Sequence, residues 1–164
     1  MKIQYDIVTE IAARLGNIST ANGYNTTIGG IFISRRNPLE DDEPPAARIM
    51  FGGVSPAQTV AAKRYGRETH DLSVSIEYYV PKGLRDFFEV SLEAGMDVWT
   101  AIYRATTAPQ VSDPVSFQLG GMVPRLGLLS FNEVLVDQQS IFGGADIELG
   151  ISYDVDPSDP FTMI

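Results

Sequence analysis

Cysteine is absent from the 164 residues, which excludes disulfides, thiolate metal sites and a cysteine nucleophile. Histidine occurs once, at position 70, so no second histidine is available to complete a metal site. No apolar run approaches the roughly 20 residues of a membrane span, and the opening MKIQYDIVTE lacks the basic start and apolar stretch of a signal peptide. A soluble intracellular protein is expected. Basic residues are scarce and unevenly placed. Residues 1–125 hold 12 Lys and Arg against 14 Asp and Glu, whereas residues 126–164 hold seven acids and no Lys or Arg, for a formal net charge of −9. The C-terminal part would repel a phosphate backbone, which argues against nucleic-acid binding as the main task.

What is present suits a packed domain. With 44% hydrophobic residues, a chain of this length buries roughly 70% of its unfolded surface. Ile3, Ile7, Ile11, Leu15 and Ile18 recur at steps of four and three, which predicts an amphipathic N-terminal helix. Gly23 and two asparagines in ANGYNTT end it. IGGIFISRR and AARIMFGGV read as strands, and ETHDLSVSIEYYVP alternates without a break, Leu72, Val74, Ile76, Tyr78 and Val80 facing one way. From Leu84 to about Thr106 a long core helix is expected, with Leu84, Phe88, Leu92, Trp99, Ile102 and Tyr103 on its buried face, supported by Phe87, Val98 and Ala101, and Gly95 as a local weakness. VSFQL, LLSFNEVLV and ADIELGISYDV supply three more strands, and DVDPSDPFTMI an extended tail. The order predicts an α+β fold, a mainly antiparallel sheet with the N-terminal helix and the long central helix packed on one face. No linker or low-complexity tract divides the chain, so residues 1–164 are expected to form a single domain. Of the glycine pairs in IGGI, FGGV, LGGM and FGGA, the first reads as a bulge and the others as turns; their irregular spacing excludes a repeat.

Two polar stretches stand out. NPLEDDEPPAARI sets Glu40, Asp41, Asp42 and Glu43 against two prolines, a combination that neither a helix nor a central strand accommodates. It reads as the exposed tip of a long hairpin between the first two strands, either a solvated loop or a surface shown to a partner. The second stretch, around residues 54–68, reads as a loop or short helix and carries Lys63, Arg64 and Arg67. Three charges make a weak phosphate site at best, and a contact with carboxylates of a neighbouring subunit is an equally good reading.

Catalytic chemistry finds little support. His70 precedes Asp71, but adjacent residues of a strand point to opposite faces, and no GxSxG motif accompanies them. His70 reads better as an exposed residue at a strand end. Asp154, Asp156 and Asp159 miss the spacing of a calcium loop, and the glycine pairs form neither GxGxxG nor a P-loop. No catalytic, metal-binding or cofactor-binding residue is assigned, and no cofactor is expected.

Taken in order, the opening helix, ANGYNTTIGGIFISRRNPLEDDEPPAARI, the strand ETHDLSVSIEYYVP before a long helix, and the closing ELGISYDVDPSDPFT resemble the tail terminators of long-tailed bacteriophages, the lambda-type family. The resemblance spans nearly the whole chain and rests on patterns of structure. It implies an α+β fold, a structural role without enzymatic activity, and a hexameric ring. That ring caps the tail tube at the head-proximal end of the virion tail, having been made in the host cytoplasm, and joins the tube to the head connector. DNA passes through its lumen without specific binding, and acidic walls suit such a conduit because they repel phosphates. The acidic segment then sits at the edge or the lumen of the ring. A head-tail connector or tail completion (neck) protein is the alternative, and a small hydrolase or a monomeric binding module are the weaker ones.

In a closed ring each subunit offers one surface to a different surface of the next, so a basic loop can meet acids without repelling its own copy. Candidate interface residues are therefore Lys63, Arg64 and Arg67 on one side and Glu40, Asp41, Asp42 and Glu43, or the acidic face of the final long strand, on the other. Each exposed ion pair is worth only about 0–1 kcal/mol, so a single change does little. The triple substitution Lys63→Glu, Arg64→Glu, Arg67→Glu is expected to leave circular dichroism and melting nearly unaltered while reducing ring formation or tail capping, more so at low salt. Equal assembly at low and high salt would place the interface elsewhere.

Overall fold

The computed structural model describes residues 2–35, 37–40, 43–56, 68–103, 119, 123, 125–133, 141–156 and 158–163. Its elements are helix α1 (Lys2–Leu15), strands β1 (Gly30–Ile33), β2 (Ala46–Pro56) and β3 (Glu68–Pro81), helix α2 (Phe87–Tyr103), and strands β4 (Arg125–Glu133), β5 (Phe142–Asp156) and β6 (Asp159–Met163). The strands form one sheet in the order β1-β2-β3-β5-β4, with β6 added to the end of β5. Every pairing is antiparallel except β1 with β2. This is the expected α+β class, with both helices on one face of a mostly antiparallel sheet.

The spine of the sheet is the β3–β5 pair, which runs in unbroken register from Glu68↔Val155 to Pro81↔Phe142. Strict alternation in both sequences makes this register the stable one, because a slip by one residue would move every apolar side chain to the wrong face. Leu72, Val74, Ile76 and Tyr78 of β3 are buried together with Ile147, Leu149, Ile151 and Tyr153 of β5. Against them pack Ile3, Ile7, Ile11 and Leu15 of α1, as the helical period predicts.

Helix α2 covers the same core through only part of the expected face: Val98, Ala101 and Ile102 are buried as expected. Its buried residues are Val90, Ser91, Ala94, Gly95, Asp97, Val98, Ala101 and Ile102. Leu84 lies outside the helix and is fully exposed, while Phe88, Leu92 and Met96 are 60%, 45% and 54% exposed. Trp99 and Tyr103 sit between these extremes, packed partly on the core and on each other with ring centroids 4.1 Å apart. Asp86 caps the helix, its Oδ1 accepting from the Phe88 and Glu89 amides at 2.9 and 3.3 Å.

Three other expectations change. Strands β1 and β2 run parallel, so residues 34–45 are not a hairpin tip but a return connection that must carry the chain back along β1 before β2 can start. Gly52-Gly53 forms a bulge inside β2 rather than a turn, with Gly53 at φ +127°, while Gly29-Gly30 leads into β1 without a bulge. Gly143-Gly144 lies within β5, where a side chain on Gly143 would meet Val90 Cγ1 at 2.8 Å. The tail contributes β6, whose residues pair with Val155 and Asp156. Gly120-Gly121 and residues 115–118 of the expected VSFQL strand lie outside the described residues.

Two buried charges fasten the helices. Arg14 of α1, 2% exposed, bonds Glu10 at 2.8 Å and donates from Nη1 to the Ile102 carbonyl at 2.6 Å, meeting one of the carbonyls that the end of α2 leaves unpaired. Asp97 of α2, equally buried, accepts from the Asn25 and Thr26 amides at 3.0 and 2.7 Å, from Asn25 Nδ2 at 3.0 Å and from Thr26 Oγ1 at 2.6 Å.

Gly95 has a packing role that its helix position conceals. A Cβ there would lie 1.8 Å from Phe131 Cε2, so the Phe131 ring of β4 rests directly on the α2 backbone. Gly95→Ala gains about 1 kcal/mol of helix propensity but overpacks this contact, which costs about 1–3 kcal/mol. A net loss of stability is expected in urea denaturation, turning into a gain when Phe131→Ala is also present. Stabilisation by Gly95→Ala alone would show that the ring moves aside freely.

Candidate functional site

With both helices on one face, the other face of the sheet stays uncovered by any described element, and the same alternation that builds the core determines its chemistry. Residues opposite the core on β3 and β5 are Asp71, Ser73, Ser75, Glu77, Tyr79 and Asp146, Glu148, Gly150, Ser152, Asp154, all half-buried. Acids on one strand meet hydroxyls on the other. Thr69 Oγ1 donates to Asp154 at 2.7 Å, Ser152 Oγ to Asp71 at 2.6 Å, Ser73 Oγ to Glu148 at 2.9 Å and Ser75 Oγ to Asp146 at 2.8 Å. Hydroxyls thus stand opposite Asp71, Glu148 and Asp154, while Glu77 faces Asp146 directly, where like charges oppose pairing.

Two cations fall on this face by register: Arg125 of β4, in the row of Ser152 and Asp71, and Arg48 of β2, opposite Glu77. The Arg48 guanidinium donates to Glu77 Oε2 from both Nε and Nη2, and Tyr79 OH donates to the same oxygen at 3.1 Å. Burial first, and the Glu77 charge second, push the Tyr79 phenol up to about 12. Arg48 Nη1 also donates to the Asn37 carbonyl at 3.1 Å, tying the acidic connection to this end of the sheet.

At the other end lies a trench. One register row across four strands reads Gly53, Ser73, Gly150, Gly127, so a single side chain interrupts a floor of backbone. The hollow has a volume of about 570 Å³. The row Ser55, Asp71 and Ser152 bounds it on one side and continues onto β4 at Arg125; the next row on the other side carries Ser75 and Glu148. Leu129, displaced by a bulge in β4, hangs over Gly150.

The anticipated site residues divide. Glu43 is turned inward, its carboxylate accepting from Arg35 and from the Glu40 amide at 2.5 Å, and these bonds hold it below the usual carboxylate range. The Arg35 guanidinium also lies over the Phe32 ring at 4.7 Å. Glu43 is therefore an internal staple of the connection, whereas Glu40 is exposed. Asp41, Asp42, Lys63, Arg64 and Arg67 lie outside the described residues. His70 is half-buried rather than exposed, edge-on to Tyr153 with ring centroids 5.8 Å apart and 3.4 Å from Glu68. Asp71 points to the opposite face, so the two do not form a pair.

Sequence reading missed the trench and Asp97. The trench becomes visible only when four strands are aligned, but Asp97 leaves a signal: it lies seven and three residues after Val90 and Ala94 and four before Ala101, on one helical face. No protein-family model matches the chain, and no curated protein matches it significantly.

The phenols give a pH test. Burial, the largest cause, lifts Tyr78 to about 12, with Asp97 adding to the effect and the Thr26 bond at 2.8 Å opposing it. A raised pKa means that the folded state holds the proton more tightly, so stability is constant below the free-tyrosine value and falls as pH rises beyond it. The melting temperature is expected to drop between about pH 10 and about pH 12. Tyr78→Phe should cost about 1 kcal/mol at neutral pH through the lost bond and make that drop shallower. An unchanged alkaline slope in the variant would refute the assignment.

Proposed function

We propose that the protein is a tail terminator of a long-tailed bacteriophage. Six copies close into a ring that caps the tail tube, joins it to the head connector and leaves a lumen through which DNA passes unbound. The observation that carries this reading is the open sheet face: one side of the sheet that no described element covers, rich in acids and laced by hydroxyls. Antiparallel sheets commonly leave one polar face to solvent; what suits this one to a partner is that its carboxylates are held in fixed rows by hydroxyls. The exposed row Phe88, Leu92, Met96 along α2 adds a second surface suited to partners. The net charge of −9 suits a conduit that must not hold duplex DNA.

The same features suit a head-tail connector or neck protein, which is the second reading. An enzyme is disfavoured because His70 and Asp71 diverge and the carboxylates of the open face are strung along rows, each already bonded to a hydroxyl or a guanidinium. Electron microscopy of the purified protein, alone and mixed with tail tubes, is expected to show six-fold rings or capped tubes. Fluorescence polarisation with duplex DNA at physiological salt is expected to show no measurable binding. Persistence as a monomer with tubes present would overturn the ring, and salt-sensitive micromolar DNA binding would overturn the conduit.

A further inference from the structure

We propose that the exposed apolar row of helix α2, with the adjoining margin of β4, is a two-fold contact at which a second copy of this chain packs its own α2 antiparallel to the first. The contact does not rest on the tail reading and is distinct from the ring, because a two-fold pairing closes on itself.

Shape, area and charge argue for it. Phe88, Leu92 and Met96 recur every four residues and all three are exposed, so they form one of the i±4 ridges that interlock when two helices cross at about −50°. The ridge is not isolated. Phe131 rests on Gly95 beside it, and Leu128, opposite Leu149 in the register, continues the apolar surface along the margin of the sheet. At about 200 Å² for a large side chain, the exposed fractions of these five residues amount to roughly 400–500 Å². That is the size of the largest apolar patches on monomers, which are often functional, and more than half of the roughly 800 Å² that each partner gives to a standard interface. The rim fits its own copy. On the side of the ridge away from Gly95, Arg85 bridges Glu89 at 3.3 Å and Glu93 at 2.6 Å. A rim that carries both signs can face an antiparallel copy with each guanidinium beside the other copy's glutamates. The open sheet face, where acids outnumber cations, would set like charges against each other in the same arrangement.

The absence of cysteine allows a direct test, since Leu92→Cys places a single thiol at the middle of the ridge. Near a two-fold axis that thiol meets its own copy. Under mild oxidation the variant is expected to cross-link into a dimer, whereas Tyr5→Cys, exposed on α1, is not. Sedimentation equilibrium of the unmodified protein is expected to show a dimer over the micromolar range, with a Kd that falls as salt screens the net charge of −9. The pair Phe88→Gln, Met96→Gln leaves that charge unchanged and should raise the Kd at least tenfold with circular dichroism unaltered. Should the pair fold poorly, the cross-link decides alone. A monomer at every concentration and salt, association indifferent to the pair, or cross-linking of Leu92→Cys no greater than that of Tyr5→Cys would overturn the proposal. Rings in which Leu92→Cys does not cross-link would refute the pairing and leave the tail reading standing. Cross-linked dimers of a protein that never forms rings or caps tubes would do the reverse.

Discussion

The carboxylate of Asp97 is the constraint on which the arrangement depends. A charge buried in the core costs several kcal/mol unless hydrogen bonds replace its water, and here four donors do so, from Asn25 and Thr26. Those donors belong to the segment between α1 and β1, so satisfying Asp97 fixes where that segment crosses α2. Thr26 then reaches Tyr78 on β3. One acid thus joins the loop, the central helix and the middle of the sheet. Arg14 works in the opposite sense, placing a cation on the carbonyl end of α2. Together they hold both helices to one face of the sheet and leave the other to different chemistry.

How far the sequence was legible follows from how local each signal is. Alternation in β3 and β5 and the period of α1 are properties of short windows, and each decides its own buried face. Helix α2 is different because its apolar residues extend well beyond the buried sector: Phe88, Leu92, Met96 and Trp99 continue it without a polar break. Periodicity alone then cannot decide which part of so wide a stripe meets the sheet. That choice is made by Gly95 under Phe131 and by the donors around Asp97, which are distant in sequence. The parallel pairing of β1 and β2 was hidden for a related reason. Two strands and a turn-rich connection look alike whether the chain reverses or returns, and the bond from Gly29 N to Pro45 O at 2.7 Å belongs to the return. The acidic connection was recognisable as a loop, but the inward role of Glu43 depends on Arg35, eight residues away.

The two faces of the sheet answer different requirements with the same alternation. On the core face, side-chain volume determines stability, and truncation leaves cavities. On the open face, every second residue from Asp71 to Glu77 and, except for Gly150, from Asp146 to Asp154 is an acid or a small hydroxyl, and cross-strand bonds let several carboxylates lie close together. That arrangement keeps negative charge fixed on a rigid surface. It also leaves room at the trench, because glycine and serine there contribute almost no volume.

In the proposed ring, charge decides which surface can bring copies together at low salt. Molecules of net charge −9 repel one another, most strongly where screening is least, so an interface built only on the apolar row Phe88, Leu92, Met96 would strengthen as salt is added. An interface that pairs basic residues of one copy with acids of the next, as the proposed ring would, gains attraction under the same conditions that increase the general repulsion. Whether low salt then favours assembly depends on local pairing outweighing the net charge. Charges in contact act across a few ångströms, whereas charges farther apart than the screening length of about 8–10 Å at ordinary ionic strength are largely screened. The apolar row remains available for contacts of another kind, such as those with a tube, where burial rather than charge supplies the driving force.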